Sequence, residues 1–315
     1  MIKSVSLFYL SEHLRRKKFE LEEDQWKLHP DWEWKEPSDT RRFWNVLLRR
    51  QVIYRAFIPQ CSPWPFVTSQ ALSCFLLATV VWFHYFENSY NHLKYSFFAL
   101  CLMISFWMKD LIAEGEYYGF YMQKNIRSIR LGFALFIVSE VMFFFALFWS
   151  FFHFSINPSV WIGSVWPPYG MKTIPAFGLP LLNTIILVTS GITLSYCQKS
   201  IVQNYAGDRE NALDGMVWTI FLAIFFLAVQ RYEFIHAPFS INDSVFGSIF
   251  FFITGFHGLH VIGGTFFLFI VLIRMVDHHF YQELALALDL ASWYWHFVDV
   301  VWIFVFIIVY WWGGR

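Results

Sequence analysis

The sequence predicts an all-α integral membrane protein with seven transmembrane helices. Three observations carry that prediction. The 315 residues are 57% hydrophobic and 22% aromatic but only 15% charged, where a soluble domain carries about a quarter charged residues. Seven apolar runs follow Pro65, most of them near the ~20 residues that an α-helix needs to cross ~30 Å of hydrocarbon. Lys and Arg fall very unequally between the two sides that those runs would define. The 39 Phe and 16 Trp exceed what one globular core holds. A net charge of zero gives no basic field for nucleic acid.

The runs cover 66–86, 95–108, 131–154, 179–196, 213–230, 245–274 and 291–312. The second is the shortest, and Lys109 and Asp110 follow it at once. It spans only if the Lys109 stem snorkels and the helix continues through "LIA". The third carries Glu140 ten residues in, near mid-bilayer. The connection after it, "NPSVWIGSVWPPYG", has the Pro, Gly and Trp of an interfacial loop. "GDRENALDG" reads as a turn with helix-starting acids before the fifth run. The sixth holds "GFHGLH", and the seventh holds "WYWHFVDVVW", with a histidine and an aspartate three residues apart.

Charge sets the topology. With the N-terminus inside, the inner segments hold 19 Lys/Arg and the outer ones four, as the positive-inside rule requires. Removing the second helix would put the basic "QKNIRSIR" outside, a poorer fit. Residues 1–62 hold 12 Lys/Arg and 9 Asp/Glu and form a polar, charged N-terminal extension; residues 63–315 form the seven-helix part. No apolar core follows Met1 as a signal peptide would need, and "FELEEDQ" is too acidic for a transit peptide. Four tryptophans between residues 26 and 44 suggest that the extension docks on something. Cys61, Cys74, Cys101 and Cys197 are widely spaced, which reads as isolated thiols and not as a disulfide or thiolate framework.

Ionisable groups at membrane depth are few, and each costs about 3 kcal/mol or more unless partnered. They are Glu140, His257, His260, His296 and Asp299, with Glu233 and His236 at an outer helix end. One reading makes His257, His260 and Glu140 a metal site, since histidines three apart share a helix face; haem ligation is conceivable too. A proton relay would use Glu140, His296 and Asp299, but one midplane carboxylate does not complete a path. The plainest reading makes structural polar pairs, His260–Asp299 or His296–Asp299, that lock the sixth helix to the seventh. Gly255, Gly258, Gly263 and Gly264 would let another helix approach there. Trp293, Trp295, Trp302, Trp311 and Trp312 are expected at headgroup level, where indoles sit.

Long motifs then carry a resemblance. "LFIVSEVMFFFALFWSFFHFSINPSVWIGSVWPP", "HAPFSINDSVFGSIFFFITGFHGLHVIGGTFFLFIVLIR" and "WYWHFVDVVWIFVFIIVYWWGG" resemble helices of the haem–copper oxidase subunit III family, that of cytochrome c oxidase. "PLLNTIILVTSGITLSY" and "SPWPF" fit its fourth helix and the start of its first, so the match covers about residues 62–315.

The resemblance implies a non-redox subunit without a catalytic centre or metal of its own, flanking a catalytic and a copper-bearing subunit that hold the haem and copper. It implies two-helix (1–2) and five-helix (3–7) bundles separated by a lipid-filled cleft. It also implies bound phospholipids such as cardiolipin and phosphatidylethanolamine, and a supporting role in proton uptake and turnover stability. Glu140 matches the family's buried carboxylate, and Glu114 with Gly115 the inner end of its second helix. Trp107, Lys109, Glu114, Arg274 and His279 fall at expected lipid-binding positions. Departures are Ala113 for an arginine, and Phe120–Tyr121 and Gln198–Lys199 for histidine pairs. The expected location is the mitochondrial inner membrane with the N-terminus on the matrix side, a bacterial plasma membrane being the alternative. The expected partners are oxidase subunits, accessory subunits through the extension, and membrane lipids, without nucleic acid. The competing functions are a stand-alone membrane metalloenzyme using His257, His260 and Glu140, and a transporter, for which discontinuous paired helices and inverted repeats are lacking.

Overall fold

A computed structural model describes residues 62–116, 123–203, 209–276 and 282–314. The extension, Phe120, Tyr121 and His279 lie outside the described residues. Seven helices are long and apolar enough to cross a membrane, and the described residues contain no strand. They are α1 (Trp64–Phe83), α2 (Ser89–Glu116), α3 (Gln123–Ile156), α4 (Leu179–Gln203), α5 (Arg209–His236), α6 (Val245–Val276) and α7 (Gln282–Val305), the last continuing as a π-helical segment (Phe306–Trp312).

Local chemistry explains the boundaries. α1 starts at Pro63-Trp64-Pro65, because the first helical turn tolerates a residue without an N–H. It ends in a tight turn in which Tyr85 and Asn88 both take φ +57°. α2 runs 28 residues, two turns beyond the apolar run at its C-terminal end, because Lys109, Leu111, Ala113 and Glu114 are good helix formers. Its indole partner, Trp64 of α1, donates Nε1–H to Asp110 at 2.5 Å. α7 begins about nine residues before the expected 291. Asp289, two residues before that expected start, is accommodated because Arg130 of α3 and Gln198 of α4 both donate to it. Before α6, Ser240 N–H and Oγ–H donate to Asp243, and Ser244 Oγ accepts the Gly247 N–H. The two hydroxyl and carboxylate groups thus close the turn and cap the helix.

The helices divide two and five. α1 packs on α2. α3 packs on α6 and α7, α4 on α5 and α7, α5 on α6, and α6 on α7. Among the described residues, none of these substantial contacts joins α1 or α2 to the other five. The core lies in the second group and is centred on α6 and α7.

Two expectations are corrected here. Trp295 and Trp302 are not at headgroup level: both are 0% exposed. Trp295 donates Nε1–H to Ser190 and Trp302 to Thr184, each at 3.0 Å. A buried indole needs one acceptor, and the hydroxyls of α4 supply it. Trp293, Trp311 and Trp312 stay partly exposed. The α6 glycines also differ from one another. A Cβ on Gly264 would come within 2.9 Å of the Trp295 ring, so the absence of a side chain is needed there. At Gly255 and Gly258 a Cβ would meet nothing within 4 Å. Those two do not mediate a helix contact.

Candidate functional site: paired ionisable groups inside the bundle

α3 places Glu140 beside His260 of α6. Nε2 lies 2.8 Å from Oε2, and Nδ1 lies 2.7 Å from the Phe256 carbonyl of the preceding turn. A carbonyl only accepts, so the ring carries a proton on Nδ1 and donates it there. The Nε2···Oε2 contact then holds one further proton between ring and carboxyl. Wherever that proton sits, the pair is neutral as a whole, which limits its cost at this depth. Phe144 and Phe143 pack on the imidazole with centroids 4.9 and 6.2 Å away. His260 therefore does not reach Asp299. Of the two contacts considered for that aspartate, only the one with His296 is present, because His260 is taken by α3.

His257 is 0% exposed and faces the other way. Its Nε2–H donates to the Val298 carbonyl of α7 at 3.2 Å. Its ring lies 4.9 Å from that of Trp302 and 5.7 Å from Phe226. One turn of helix thus sends one histidine to α3 and the other between α5 and α7. The three residues of the metal reading do not converge, and among the described residues no three His, Cys, Asp or Glu groups could hold an ion together.

His296 and Asp299 meet within α7, Nδ1 to Oδ2 at 3.4 Å, and His296 Nε2 lies 3.3 Å from Ser195 Oγ of α4. Asp299 sits against Gly191, where a Cβ would come within 2.5 Å of Oδ2. The order serine–imidazole–carboxylate copies a hydrolase triad. It lacks the rest of one. Ser195 donates its proton to the Gly191 carbonyl at 2.9 Å, and the surrounding N–H groups are spent in helix hydrogen bonds, so nothing would stabilise an oxyanion.

Two further constellations escaped the reading of the sequence. Near the start of α3, the end of α4 and the start of α7, Asp289 accepts from Arg130 at 2.6 Å and from Gln198 at 2.9 Å, while Ser292 donates to Gln198 at 3.1 Å. This clamp joins α3, α4 and α7. At the opposite ends of these helices, buried Glu233 of α5 accepts from Tyr310 Oη at 2.5 Å and from Gln230 at 3.4 Å; Gln230 in turn accepts from Asn183 of α4 at 3.2 Å. Matching depth, with Gln230 and Glu233 three apart on one helix face, was the signal available in sequence.

The described residues among the expected lipid contacts fall in the C-terminal halves of α2 and α6. Trp107 and Glu114 are half-buried on α2, Lys109 is exposed, and Arg274 is half-buried at the end of α6. Cys74 and Cys101 are free and exposed, and Cys197 is free and buried.

The fold and the site define a seven-helix membrane bundle whose deep polar groups are engaged between its helices. Comparison with known proteins makes the class particular. The family described as cytochrome c oxidase subunit III matches residues 55–314, and the chain belongs to that family. Cytochrome c oxidase subunit 3 of Emericella nidulans is 46% identical over 252 residues, covering 80% of this chain and 93% of that protein. That of Chondrus crispus is 43% identical over 255 residues, covering 81% and 92%. That of Drosophila melanogaster is 41% identical over 253 residues, covering 80% and 95%.

Proposed function

We propose that this chain is a non-redox core subunit of a terminal respiratory oxidase. It flanks the catalytic subunit, holds structural phospholipids between α1–α2 and the five-helix bundle, and sustains proton uptake and turnover stability. The haem and copper belong to the partner subunits. The observation that carries the reading is the divergence of His257 and His260: each imidazole is spent on a helix contact, leaving the metalloenzyme alternative without its ligand set.

In the same reading Trp107, Lys109, Glu114, Arg274 and His279 meet lipid headgroups. Residues 1–62 form a separate polar extension that contacts accessory subunits, ahead of a membrane domain over 63–315. The location is the mitochondrial inner membrane with the N-terminus on the matrix side, supported by the charge asymmetry of the connections.

Mild-detergent purification tests the core of this. The chain should co-migrate with haem-bearing and copper-bearing subunits, and the separated chain should hold neither group. Stoichiometric metal on the separated chain would sink the reading. Repeating the purification without residues 1–50 should lose accessory subunits while the seven helices remain inserted; failed insertion would place the extension in the core instead.

A further inference from the structure

We propose that the outward face shared by α4 and α7, centred on Ser195 and His296, receives a transmembrane helix of a neighbouring oxidase subunit that presents a hydrogen-bond donor at the same depth. The proposal rests on the reading of this chain as an oxidase subunit.

α7 puts Trp293, His296, Val300 and Ile303 on one face at helical spacing, and all are exposed by more than a third. α4 does the same with Val188, Ile192 and Ser195. The contact of Ser195 with His296 joins the two stripes into one surface. Its centre is polar and its rim apolar.

Depth makes that centre unusual. His296 lies ten residues inside the Leu286–Trp312 span, about 15 Å from its inner end. Ser195 lies six residues inside the Leu179–Ile201 span, about 9 Å from its inner end. Both are within the hydrocarbon, where ionisable side chains face protein or a water-filled cavity. Here the imidazole, its Nε2 on Ser195 and its Nδ1 on Asp299, has a side chain 41% exposed on the outside of the bundle, where acyl chains would solvate that polar cluster poorly.

The hydrogen-bond bookkeeping says what the occupant must bring. Ser195 spends its proton on the Gly191 carbonyl, so at Nε2 the ring donates and the hydroxyl accepts. One acceptor lone pair remains on Ser195 Oγ. Behind it, Asp299 Oδ1 is buried with no donor. Asp299 Oδ1 is enclosed, so the acceptor within an occupant's reach is Ser195 Oγ. At this depth the occupant's backbone must satisfy itself, which restricts it to a helix. An amide, hydroxyl or indole side chain on that helix would supply the donor, the usual polar adhesive between membrane helices.

The test uses the assembled oxidase, with its haem spectrum verified first. A photo-reactive benzoylphenylalanine replaces Val300 or, separately, Ile192; the same residue at Phe221, exposed on α5, is the control. The expected product at 300 and 192 is a cross-link to a membrane-spanning peptide of another oxidase subunit, with Asn, Gln, Ser, Thr, Tyr or Trp within one turn of the linked residue. Combining Ser195→Ala with His296→Leu should lower the yield at 300 by roughly 5-fold or more and leave the Phe221 product unchanged, while His296→Gln should retain most of the yield. Cross-links only to lipid, to a second copy of this chain or to its own residues 1–61 would overturn the proposal. So would a partner peptide without a donor, or a yield indifferent to the paired substitution. If the parent chain enters no haem-bearing complex, the oxidase reading fails; an intact oxidase without the expected cross-link defeats the interface alone.

Discussion

The α1–α2 hairpin and the α3–α7 bundle are both apolar enough to span a membrane, yet they are held together by different means. None of the α2 span is buried, against 44% of the α7 span. The hairpin relies on one short connection, ring contacts such as Phe75–Phe97 at 5.7 Å, and the Trp64–Asp110 bond at its open end. The bundle has indoles docked on hydroxyls, a carboxyl–imidazole pair at mid-depth, and polar clamps at both ends. Hydropathy accounts for insertion in both. Inside a bilayer the lipid tails are as apolar as the helices, so packing and hydrogen bonds decide which helices associate. The bundle has both in quantity.

The largest effect should come from Trp295→Ala, which empties a fully buried site and removes the N–H that Ser190 accepts. It should cost about 3–5 kcal/mol, read as a lower midpoint for thermal release of this subunit from the purified complex. Phe98→Ala in α2, at a residue 67% exposed, should change that midpoint by less than about 0.5 kcal/mol. Equal effects would mean that the hairpin is as tightly packed as the bundle.

Next comes the mid-depth pair. Glu140→Ala leaves His260 Nε2 without its partner and opens a small void, a cost of about 1–3 kcal/mol, and should hasten the loss of oxygen consumption during turnover. Glu140→Gln keeps a hydrogen-bonding group of the same shape, so initial turnover and proton pumping in vesicles should stay close to the parent. Immediate abolition of both in an intact Gln variant would make Glu140 an obligatory proton carrier.

Asp289→Ala should weaken the Asp289 clamp by about 1 kcal/mol, because the half-exposed Arg130 regains water. It should loosen the contacts of α7 with α3 and α4 and spare the hairpin, which site-directed spin-label distances would resolve.

The smallest effect is expected at the α5–α6 turn. The Asp243 carboxyl is held below its ordinary value of 3.8 because the Ser240 N–H and Oγ–H both donate to it. Its contribution is therefore present above that ordinary value and lost as the pH falls through the depressed one. Asp243→Asn should raise deuterium exchange of the Ser240 amide several-fold at neutral pH, with no change in subunit release; unchanged exchange would show that the turn holds without the carboxylate.

Much of this protein was legible in its sequence. Seven spans, their order and the likeness to a family follow from one-dimensional features: apolar length, the spacing of Lys and Arg, and long motifs. Such features depend on the bilayer and on nearest neighbours along the chain, so no tertiary information is needed. Which groups meet was another matter. Glu140 and His260 are 120 residues apart, and helical spacing alone offered His260 either Asp299 or a metal. Only the placement of α3 against α6 decides for Glu140. Trp295 and Trp302 read as interfacial because an indole is suited to either a headgroup or a buried hydroxyl; Ser190 and Thr184 on α4 decide for burial. Asp289 lies just outside the run expected from 291, and α7 extends past it because Arg130 and Gln198 are brought beside it. In each case the side chain has two acceptable environments of similar free energy, and the crossing of distant helices selects one.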